Sequence, residues 1–480
     1  MKADLVIAGG VVVTMDPHRR VIQDGAIAIT EDRIVKVGTT DEVTRSVQSR
    51  RTVAANRKAI LPGLIDAHAH AGHSLMKTIG AHLAAPDWLR MIENVYFRAT
   101  TPEYWYADGM LAALEKLRFG ITCGVMMLGN APRTDAPEYG DAFANGSARI
   151  GTRTILSVGP PGPPWPRTFT RWEDNRRQDV DVSYEQTVEV TETLLRRWHN
   201  AKEGRLRVML GPSYLSVPSR HDYFFNPAEL STAIRQAEDI RALANQYGVF
   251  IHIHAYEGVI DYAHEHLPSF LGPDVLLAHC TGIIESEQRI LAESSVKVAH
   301  CPNAHRIFTG RCPVPELINA GVTVAIATDA SAPDRTFDLF EAMRTAQRLQ
   351  RLHFADPGYF PAGKALEAVT IDAATAVGMA DTIGSLEVGK KADAIIVDLW
   401  RPHMVPTSNP LFRLVHEASG QDVTDVFVDG RPVLVAGSCA TVNQSDVLEL
   451  AERQATQAIE RAGISALLNV PDTFWRRTHY

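Results

Sequence analysis

Eight short apolar runs, separated by longer helical or polar stretches, occupy the middle of this 480-residue sequence and constrain its fold more than any other feature. Strands that alternate with helices predict βα units and therefore parallel strands. Eight such units over about 320 residues favour a (β/α)8 barrel, the TIM barrel of the α/β class, over an open sheet. The predicted strands are 64–70, 121–127, 153–158, 207–213, 249–254, 275–280, 296–302 and 323–329.

Both ends of the chain show a different pattern, in which short apolar runs alternate with turns. The Asp429-Gly430 pair between two apolar runs is a hairpin signal. Because each set of strands is too small to bury a core alone, we predict one small β-sandwich built from both ends, with two unrelated β segments as the alternative. The predicted domains are the N-terminal segment of the β-sandwich (1–58), the barrel (59–383), the C-terminal segment of the β-sandwich (384–445) and a C-terminal helical tail (446–480).

The charge and the cysteine content of the chain limit which classes of partner it can bind and in which cellular compartment it is expected. Lys and Arg number 48 and Asp and Glu 56, so the net charge of −8 argues against a nucleic-acid or anionic-membrane partner. No apolar run approaches the roughly 18–20 residues that a membrane span requires, and Asp4 interrupts the run that a signal peptide would need. The five cysteines form an odd number without a CxxC pair. We therefore predict a reduced, cytoplasmic protein.

Five of the eight predicted strands end in a residue type that binds metal ions. In a strand, residues i and i+2 point the same way, so His68 and His70 both face the barrel axis. Strand ends around a barrel mouth bring imidazoles and a carboxylate together from different directions, as a divalent ion requires. The pattern favours a metal site over core or surface roles. The other four strand ends carry His252 and His254, then His279, His300 and Asp329.

One segment at the first strand resembles the signature of the amidohydrolase superfamily, LPGLIDAHAH at 61–70. The likeness covers nearly the whole chain, and it is closest to the branch that contains cytosine deaminase, nucleoside deaminases, and the triazine amino- and chlorohydrolases. The remaining elements follow in the order typical of these enzymes: His254 with Glu257, His279, Asp329, and GSLEVGKKAD at 384–393, where the chain re-enters the small β domain.

Carried over position by position, this resemblance implies a metal-dependent enzyme. A divalent ion, Zn(II) or Fe(II), would be bound by His68, His70, His254 and Asp329. A bound divalent ion lowers the pKa of water from 15.7 to about 7. His279 would sit beside this water, and Asp329 and His279 could take its proton and orient it. Glu257 would shuttle a proton to the substrate.

The residue types at the end of the fourth predicted barrel strand indicate how many metal ions the site holds. Binuclear members of the superfamily use a bridging residue there, often a carboxylated lysine. This chain reads LGPSY at 210–214, with neither Lys nor Glu. We therefore predict a single metal ion.

Three segments that face the substrate in barrels of this kind depart from the nucleoside-deaminase pattern. The chain has Gly-Pro-Ser at 211–213 in place of Gly-Pro-His, PNAH at 302–305 in place of Pro-Val-Ser-Asn, and ASAPDR at 330–335 after the predicted metal carboxylate. These departures argue against adenosine-like substrates. Trp88 matches a position where relatives often have Trp, and it either packs on a planar substrate or is an ordinary core residue. The candidate substrate-binding residues are Trp88, Ser213, His305, Asp334 and Arg335.

Several neighbouring features admit two interpretations. We interpret His252 as a packed interior residue, whereas His300 is either a support for the ligands or structural. His73 and His82 either line the pocket or lie on the surface. The segment 159–179, which begins rich in Pro and Gly, is either a lid over the site or a disordered surface insertion.

The resemblance implies a hydrolase that uses an activated water to displace an amino, chloro or alkylamino group from a planar nitrogen heterocycle. The alternative is hydrolysis of an acyclic C–N bond in an arylurea, carbamate or amide. A third possibility is a non-catalytic scaffold that retains the barrel. The expected partners are a small heterocyclic or urea-type substrate and further copies of the chain in a homo-oligomer, dimer or higher, with the helix at 447–462 as a packing or oligomer contact.

Overall fold

A computed structural model provides the fold, and its strands follow the predicted alternation closely. It describes residues 1–128, 133–174, 176–212, 230–304, 310–406 and 408–475. The strands are, in chain order, β1 (Lys2–Val13), β2 (Val21–Thr30), β3 (Arg33–Thr39), β4 (Gln48–Ala54), β5 (Lys58–Pro62), β6 (Leu64–Asp66), β7 (Ile121–Met127), β8 (Arg153–Val158), β9 (Arg167–Glu173), β10 (Arg176–Val182), β11 (Leu206–Leu210), β12 (Ile251–Tyr256), β13 (Val275–Thr281), β14 (Lys297–His300), β15 (Val324–Ile326), β16 (Ala394–Asp398), β17 (Val423–Val428), β18 (Arg431–Val435) and β19 (Ser438–Cys439).

The helices lie mostly between the strands of the central region. They are α1 (Thr40–Ser46), α2 (Ala85–Ala99), α3 (Pro102–Arg118), α4 (Pro137–Ile150), α5 (Tyr184–Trp198), α6 (Ala201–Gly204), α7 (Leu230–Tyr247), α8 (Val259–His266), α9 (Glu285–Glu293), α10 (Val314–Asn319), α11 (Leu339–Phe354), α12 (Ala362–Ala368), α13 (Ile371–Ala376), α14 (Pro410–His416) and α15 (Gln444–Ala462). No helix within the described ranges is both long and apolar enough to cross a membrane.

Eight parallel strands form the central barrel, in the order β6-β7-β8-β11-β12-β13-β14-β15. Strands such as β7, β8 and β13 are buried along their whole length, as expected where helices cover a parallel sheet. The first and last strands meet where the backbone N–H of Asp329 donates to the carbonyl of His68 at 3.0 Å. The predicted TIM barrel is confirmed.

The two strands at this closure are shorter than predicted. The expected strand 64–70 ends at Asp66, and the expected strand 323–329 ends at Ile326. Asp329 has φ +63°, a left-handed conformation that an extended strand cannot continue through. His68, His70 and Asp329 therefore lie just beyond regular strands, on the loops at the carboxyl end of the barrel.

Both ends of the chain join one nine-stranded sheet, ordered β19-β18-β17-β16-β5-β1-β2-β3 with β4 beside β1. The junction is the antiparallel pair of β5 with β16, where Pro62 faces Ala394. Strands from the two ends thus pair directly, which rules out two unrelated β segments. The domain boundaries proposed from the sequence remain a prediction.

A buried ion cluster attaches this sheet to the barrel. The Arg153 guanidinium, at the start of β8, forms a bidentate pair with Asp393 at 2.7 and 2.9 Å and also contacts Asp429. All three side chains are buried, and a buried charge is tolerated only when it is paired in this way. Arg153 lies at the amino end of its strand, so the cluster is at the face of the barrel opposite to the site.

The segment after the third barrel strand is an ordered hairpin. Strands β9 and β10 pair in antiparallel register across seven residue pairs. Phe169 in β9 is buried and contacts Phe97 of α2 edge to face, with ring centroids 4.9 Å apart. The disordered-insertion alternative for 159–179 is therefore wrong, because the hairpin has its own apolar anchor.

The tail helix α15 packs on α2 and α3.

Candidate active site

Four side chains from three strand ends converge at the carboxyl end of the barrel. The Nε2 atoms of His68 and His70 lie 3.5 and 3.3 Å from Oδ1 of Asp329. The Nε2 atoms of His70 and His254 are 3.1 Å apart. The structure thus brings together all four residues that the sequence suggested as metal ligands.

These separations suit a common cation. In a tetrahedral zinc site with bonds of about 2.0–2.1 Å, neighbouring ligand atoms are about 3.3 Å apart. Nε2 of His68 is buried and has no hydrogen-bond partner among the described residues. A buried nitrogen without a partner is costly unless something else occupies its lone pair. The donor set therefore fits a divalent metal ion.

The protonation states of the cluster agree with this interpretation. Burial lowers the pKa of His68 and of His254 well below the usual value for imidazole, and neighbouring imidazoles add to the effect. Burial also lowers the pKa of His279, to about 3. Neutral imidazoles are the form that binds metal ions. At neutral pH the three rings therefore present lone pairs rather than charge.

Arg335 determines the ionisation of Asp329. Its Nη1 lies 3.0 Å from Oδ2 of Asp329, while Nε and Nη2 donate to the carbonyls of Ala330 and Ala332 at 2.8 and 3.2 Å. Burial would raise the pKa of Asp329, but the charge of Arg335 leads the interactions that outweigh burial and hold that pKa well below its usual value. Oδ2 is thereby occupied by Arg335, and Oδ1 faces the histidine pair.

His279 and Glu257 lie at the ends of adjacent barrel strands. His279 belongs to β13, is buried, and has its ring centroid 5.2 Å from that of His254. Glu257 follows β12 and is half-buried, and its backbone N–H donates to the carbonyl of Thr281 at 3.1 Å. Glu287 of α9 accepts hydrogen bonds from the backbone N–H groups of Gly258 and Ile260. The loop that carries Glu257 is therefore held from both sides.

The backbone at two of these strand ends is strained. His279 and Cys280 have φ +73° and +48°, and Asp329 has φ +63°. Non-glycine residues in this region cost of order 1–3 kcal/mol each and occur where function constrains the chain. Two of the candidate site residues, His279 and Asp329, therefore lie at strained backbone positions.

A cavity of about 330 Å³ opens between the ends of β13 and β14. Thr281, His300 and Cys301 line it together with Cys312 and His353. The Cys301 thiol, His68 and His279 also have ligand atoms within 4.8 Å of one another. Cys301 therefore joins the cavity to the metal-ligand cluster, a contact that the sequence pattern does not predict.

The predicted substrate-binding residues are spread over different environments. Trp88 is fully buried, donates to the carbonyl of Ile79 at 3.0 Å and packs against His73, so a direct substrate contact by Trp88 remains a prediction. The Asp334 side chain is exposed, whereas Arg335 is buried against Asp329. Ser213 and His305 lie outside the described residues.

Three of the four histidines whose roles the sequence left open are buried. His73 and His300 are buried, and His82 is exposed. His252 is buried, as interpreted, but its Nε2 also lies 2.7 Å from Nδ1 of His68.

Asp66 lies within the motif at 61–70, but the sequence analysis gave it no role. Its buried carboxylate contacts Lys116 and accepts hydrogen bonds from the N–H and the hydroxyl of Thr328 at 3.0 and 2.6 Å. It thereby joins the strand before His68 to the residue before Asp329. A charged residue inside an apolar strand was the available signal, because such residues are rarely buried without partners.

Comparison with known protein families matches the profile described as "Amidohydrolase family" to residues 59–433. Among curated proteins, a 5-methylthioadenosine/S-adenosylhomocysteine deaminase of Moorella thermoacetica is 32% identical over 89% of this chain and 94% of that protein. A 5'-deoxyadenosine deaminase of Methanosarcina mazei is 28% identical over 96% of this chain and 99% of that protein.

Two solved structures share the architecture. An adenosine deaminase from Xanthomonas campestris with bound zinc superposes with a TM-score of 0.81 at 26% identity and covers 96% of this chain and 99% of its own. A mutant of the atrazine chlorohydrolase TrzN from Arthrobacter aurescens, in complex with zinc and atraton, superposes with a TM-score of 0.78 at 22% identity, over 94% of this chain and 100% of its own. At that identity the second likeness concerns the fold alone.

Proposed function

Because the chain belongs to the amidohydrolase family, we propose that it is a metal-dependent hydrolase that displaces an amino group from a planar nitrogen heterocycle with water. The observation that carries the proposal is the convergence of His68, His70, His254 and Asp329 at the barrel mouth, with Glu257 and His279 on the adjoining strand ends. The likeness to deaminases over most of the chain supports the reaction type.

We assign one divalent ion to this cluster. His68, His70 and His254 would hold it with Oδ1 of Asp329. When bound, such an ion supplies the Lewis acidity that makes water nucleophilic at neutral pH. Zn(II) is the proposed ion because related structures contain zinc, and Fe(II) is the alternative that the same ligand types accept.

The chain's own groups would handle the protons. His279 is neutral and buried, so it can accept a hydrogen bond from the attacking water and orient it. The ionised Asp329 carboxylate can take a proton from this water, although its pairing with Arg335 makes it a weaker base. Glu257 would then deliver a proton to the ring nitrogen or to the departing amine. Water adds to the ring carbon, the C–N bond breaks, and ammonia leaves.

The test is a substrate panel with two product assays. Zinc-loaded protein is expected to release ammonia from at least one pyrimidine, purine or triazine with kcat/KM of about 10⁴ M⁻¹s⁻¹ or more. An amine with carbon dioxide from an arylurea or carbamate would instead favour the acyclic C–N alternative. Inactivity on every compound would contradict the proposal, and absence of metal binding would favour the scaffold.

The panel includes 5'-substituted adenosines for a specific reason. The curated relatives are named as deaminases of adenosine derivatives, whereas the departures at 211–213, 302–305 and 330–335 argue against such substrates in this chain. The ratio of kcat/KM between adenosine derivatives and triazines decides between these two indications.

Metal stoichiometry is a separate prediction. We expect one metal ion per chain in fully active protein, because the end of β11 supplies no lysine or carboxylate that could bridge a second ion. Elemental analysis of the active preparation, combined with protein quantification by amino-acid analysis, measures the ratio. A ratio near two at full activity would contradict the single-ion assignment.

We also propose a cytoplasmic location. All five cysteines are free, which agrees with a reducing cytoplasmic location.

We also propose a homo-oligomer, because Leu352 and Phe412 are exposed on the mutually packed helices α11 and α14. Exposed large apolar side chains on adjoining helices are typical of association surfaces.

A further inference from the structure

Two hydrogen bonds connect the backbone of β13 to the metal-ligand cluster through His252. Nδ1 of His252 lies 2.9 Å from the carbonyl oxygen of Leu276, and Nε2 lies 2.7 Å from Nδ1 of His68. His252 and Leu276 are register partners on adjacent strands, so the first bond joins two rigid elements. His68 and His252 have no exposed surface.

The first bond fixes the proton positions in this chain. A carbonyl oxygen can only accept, so Nδ1 of His252 must carry the hydrogen. A second proton on His252 would bury a charge against the neighbouring imidazole of His68. Nε2 of His252 therefore accepts, and Nδ1 of His68 must donate to it. The remaining nitrogen of His68, Nε2, is then left with a lone pair and no hydrogen.

The geometry on the other side of His68 agrees with this assignment. Nε2 of His68 faces Oδ1 of Asp329 at 3.5 Å, beyond normal hydrogen-bond length, and has no hydrogen-bond partner among the described residues. A protonated Nε2 would approach a carboxylate oxygen to about 2.8 Å. Two acceptors that face each other at this distance repel, and a cation between them would offset that repulsion.

We infer that His252 is a positioning residue, which acts through His68: it holds this ligand in the Nδ1–H tautomer and directs its Nε2 lone pair at the metal ion. This inference rests on the proposed function, since it concerns the same site. A partner that fixes the tautomer of a ligand histidine typically changes metal affinity 10–100-fold. A residue that only fills space would change it no more than other interior substitutions do.

Two amide substitutions separate these roles. The amide group of Gln reaches the position of Nε2 in His252, so His252→Gln keeps an acceptor for His68. The amide group of Asn reaches only the position of Nδ1, so His252→Asn keeps the bond to Leu276 and loses the bond to His68. His252→Leu removes both bonds. Met209→Ala is the control for packing, because Met209 is buried in the same barrel interior.

The measurement is the zinc affinity of metal-free protein in competition with a chromophoric chelator. We expect His252→Asn and His252→Leu to weaken zinc binding 10–100-fold, and His252→Gln and Met209→Ala to remain within about threefold of the unmodified protein. A zinc affinity that is unchanged from the unmodified protein in all four variants would overturn the inference. Equal weakening in all four would also overturn it, because packing alone would then be responsible.

A second readout does not depend on whether the variants fold. Long-range ¹H–¹⁵N spectra of metal-free protein labelled at histidine report tautomers directly, and both His68 and His252 are expected in the Nδ1–H form. The Nε2–H form of His68 would overturn the inference. Failure of the proposed function looks different: the unmodified protein would bind no zinc, or His70→Ala would bind it equally well.

Discussion

Replacement of His70 by Ala is expected to lower kcat at least about a thousandfold and to abolish stoichiometric zinc binding. Nε2 of His70 lies 3.3 Å from Asp329 and 3.1 Å from His254, so its removal takes away a central member of the cluster. Loss of Lewis acidity at the attacking water is worth several kcal/mol, and about 4 kcal/mol corresponds to a thousandfold in rate. Chelator treatment of the unmodified protein is expected to have the same effect, reversed by one equivalent of zinc.

The matched control is His266→Ala. His266 is an exposed histidine on α8, the helix that follows the strand of His254, and its replacement is expected to leave kcat and zinc content unchanged. Thermal unfolding of both variants checks that the fold is retained. Turnover that survives both chelation and the loss of His70 would rule out metal-dependent chemistry at this site.

Glu257→Gln is the second large effect, with an expected fall in kcat of about 10²–10⁴-fold at nearly unchanged zinc content. The amide keeps the size and the hydrogen-bonding capacity of the side chain, but it cannot transfer a proton to the departing nitrogen. Glu257 is half-buried and follows β12, three residues after His254. The fall in kcat should shrink for substrates whose leaving groups depart without protonation, such as chloride.

Glu265→Gln serves as the control for this substitution. Glu265 is a glutamate on α8 with a side chain 76% exposed, and we expect its replacement to change kcat less than twofold. Equal losses for amine and chloride leaving groups would assign the proton from Glu257 to the ring nitrogen, and an unchanged kcat in Glu257→Gln would contradict proton delivery by Glu257. If Glu257→Gln lost zinc as well as activity, Glu257 would belong to the metal ligands instead.

The fold could be predicted from the sequence because it depends on local patterns. All eight barrel strands lie where apolar runs alternate with helical stretches, and the Asp429-Gly430 turn joins β17 to β18. Strand ends were less accurate: the strands before His68 and Asp329 are shorter than predicted. Backbone strain and contacts across the barrel closure set these ends, and neither leaves a local signal in the sequence.

The candidate ligands were also accessible from the sequence, because barrel topology brings strand ends together whatever the loop lengths. Their partners were not accessible. A substrate contact by Arg335 remains a prediction, whereas its pairing with Asp329 depends on the path of the loop after β15. His252 was interpreted as packing alone, and its hydrogen bond to His68 depends on how strands β6 and β12 face each other across the barrel.

The sequence by itself determined the periodicity of the chain, the order of its strands, and which residue types end them. Only the tertiary structure decided which atoms of those residues meet. Apolar periodicity is a local property that short-range burial enforces, so it can be read along the chain. The contacts of His68 with His252 and of Asp329 with Arg335 depend on ångström-scale placement of side chains on separate elements, which packing of the whole barrel sets.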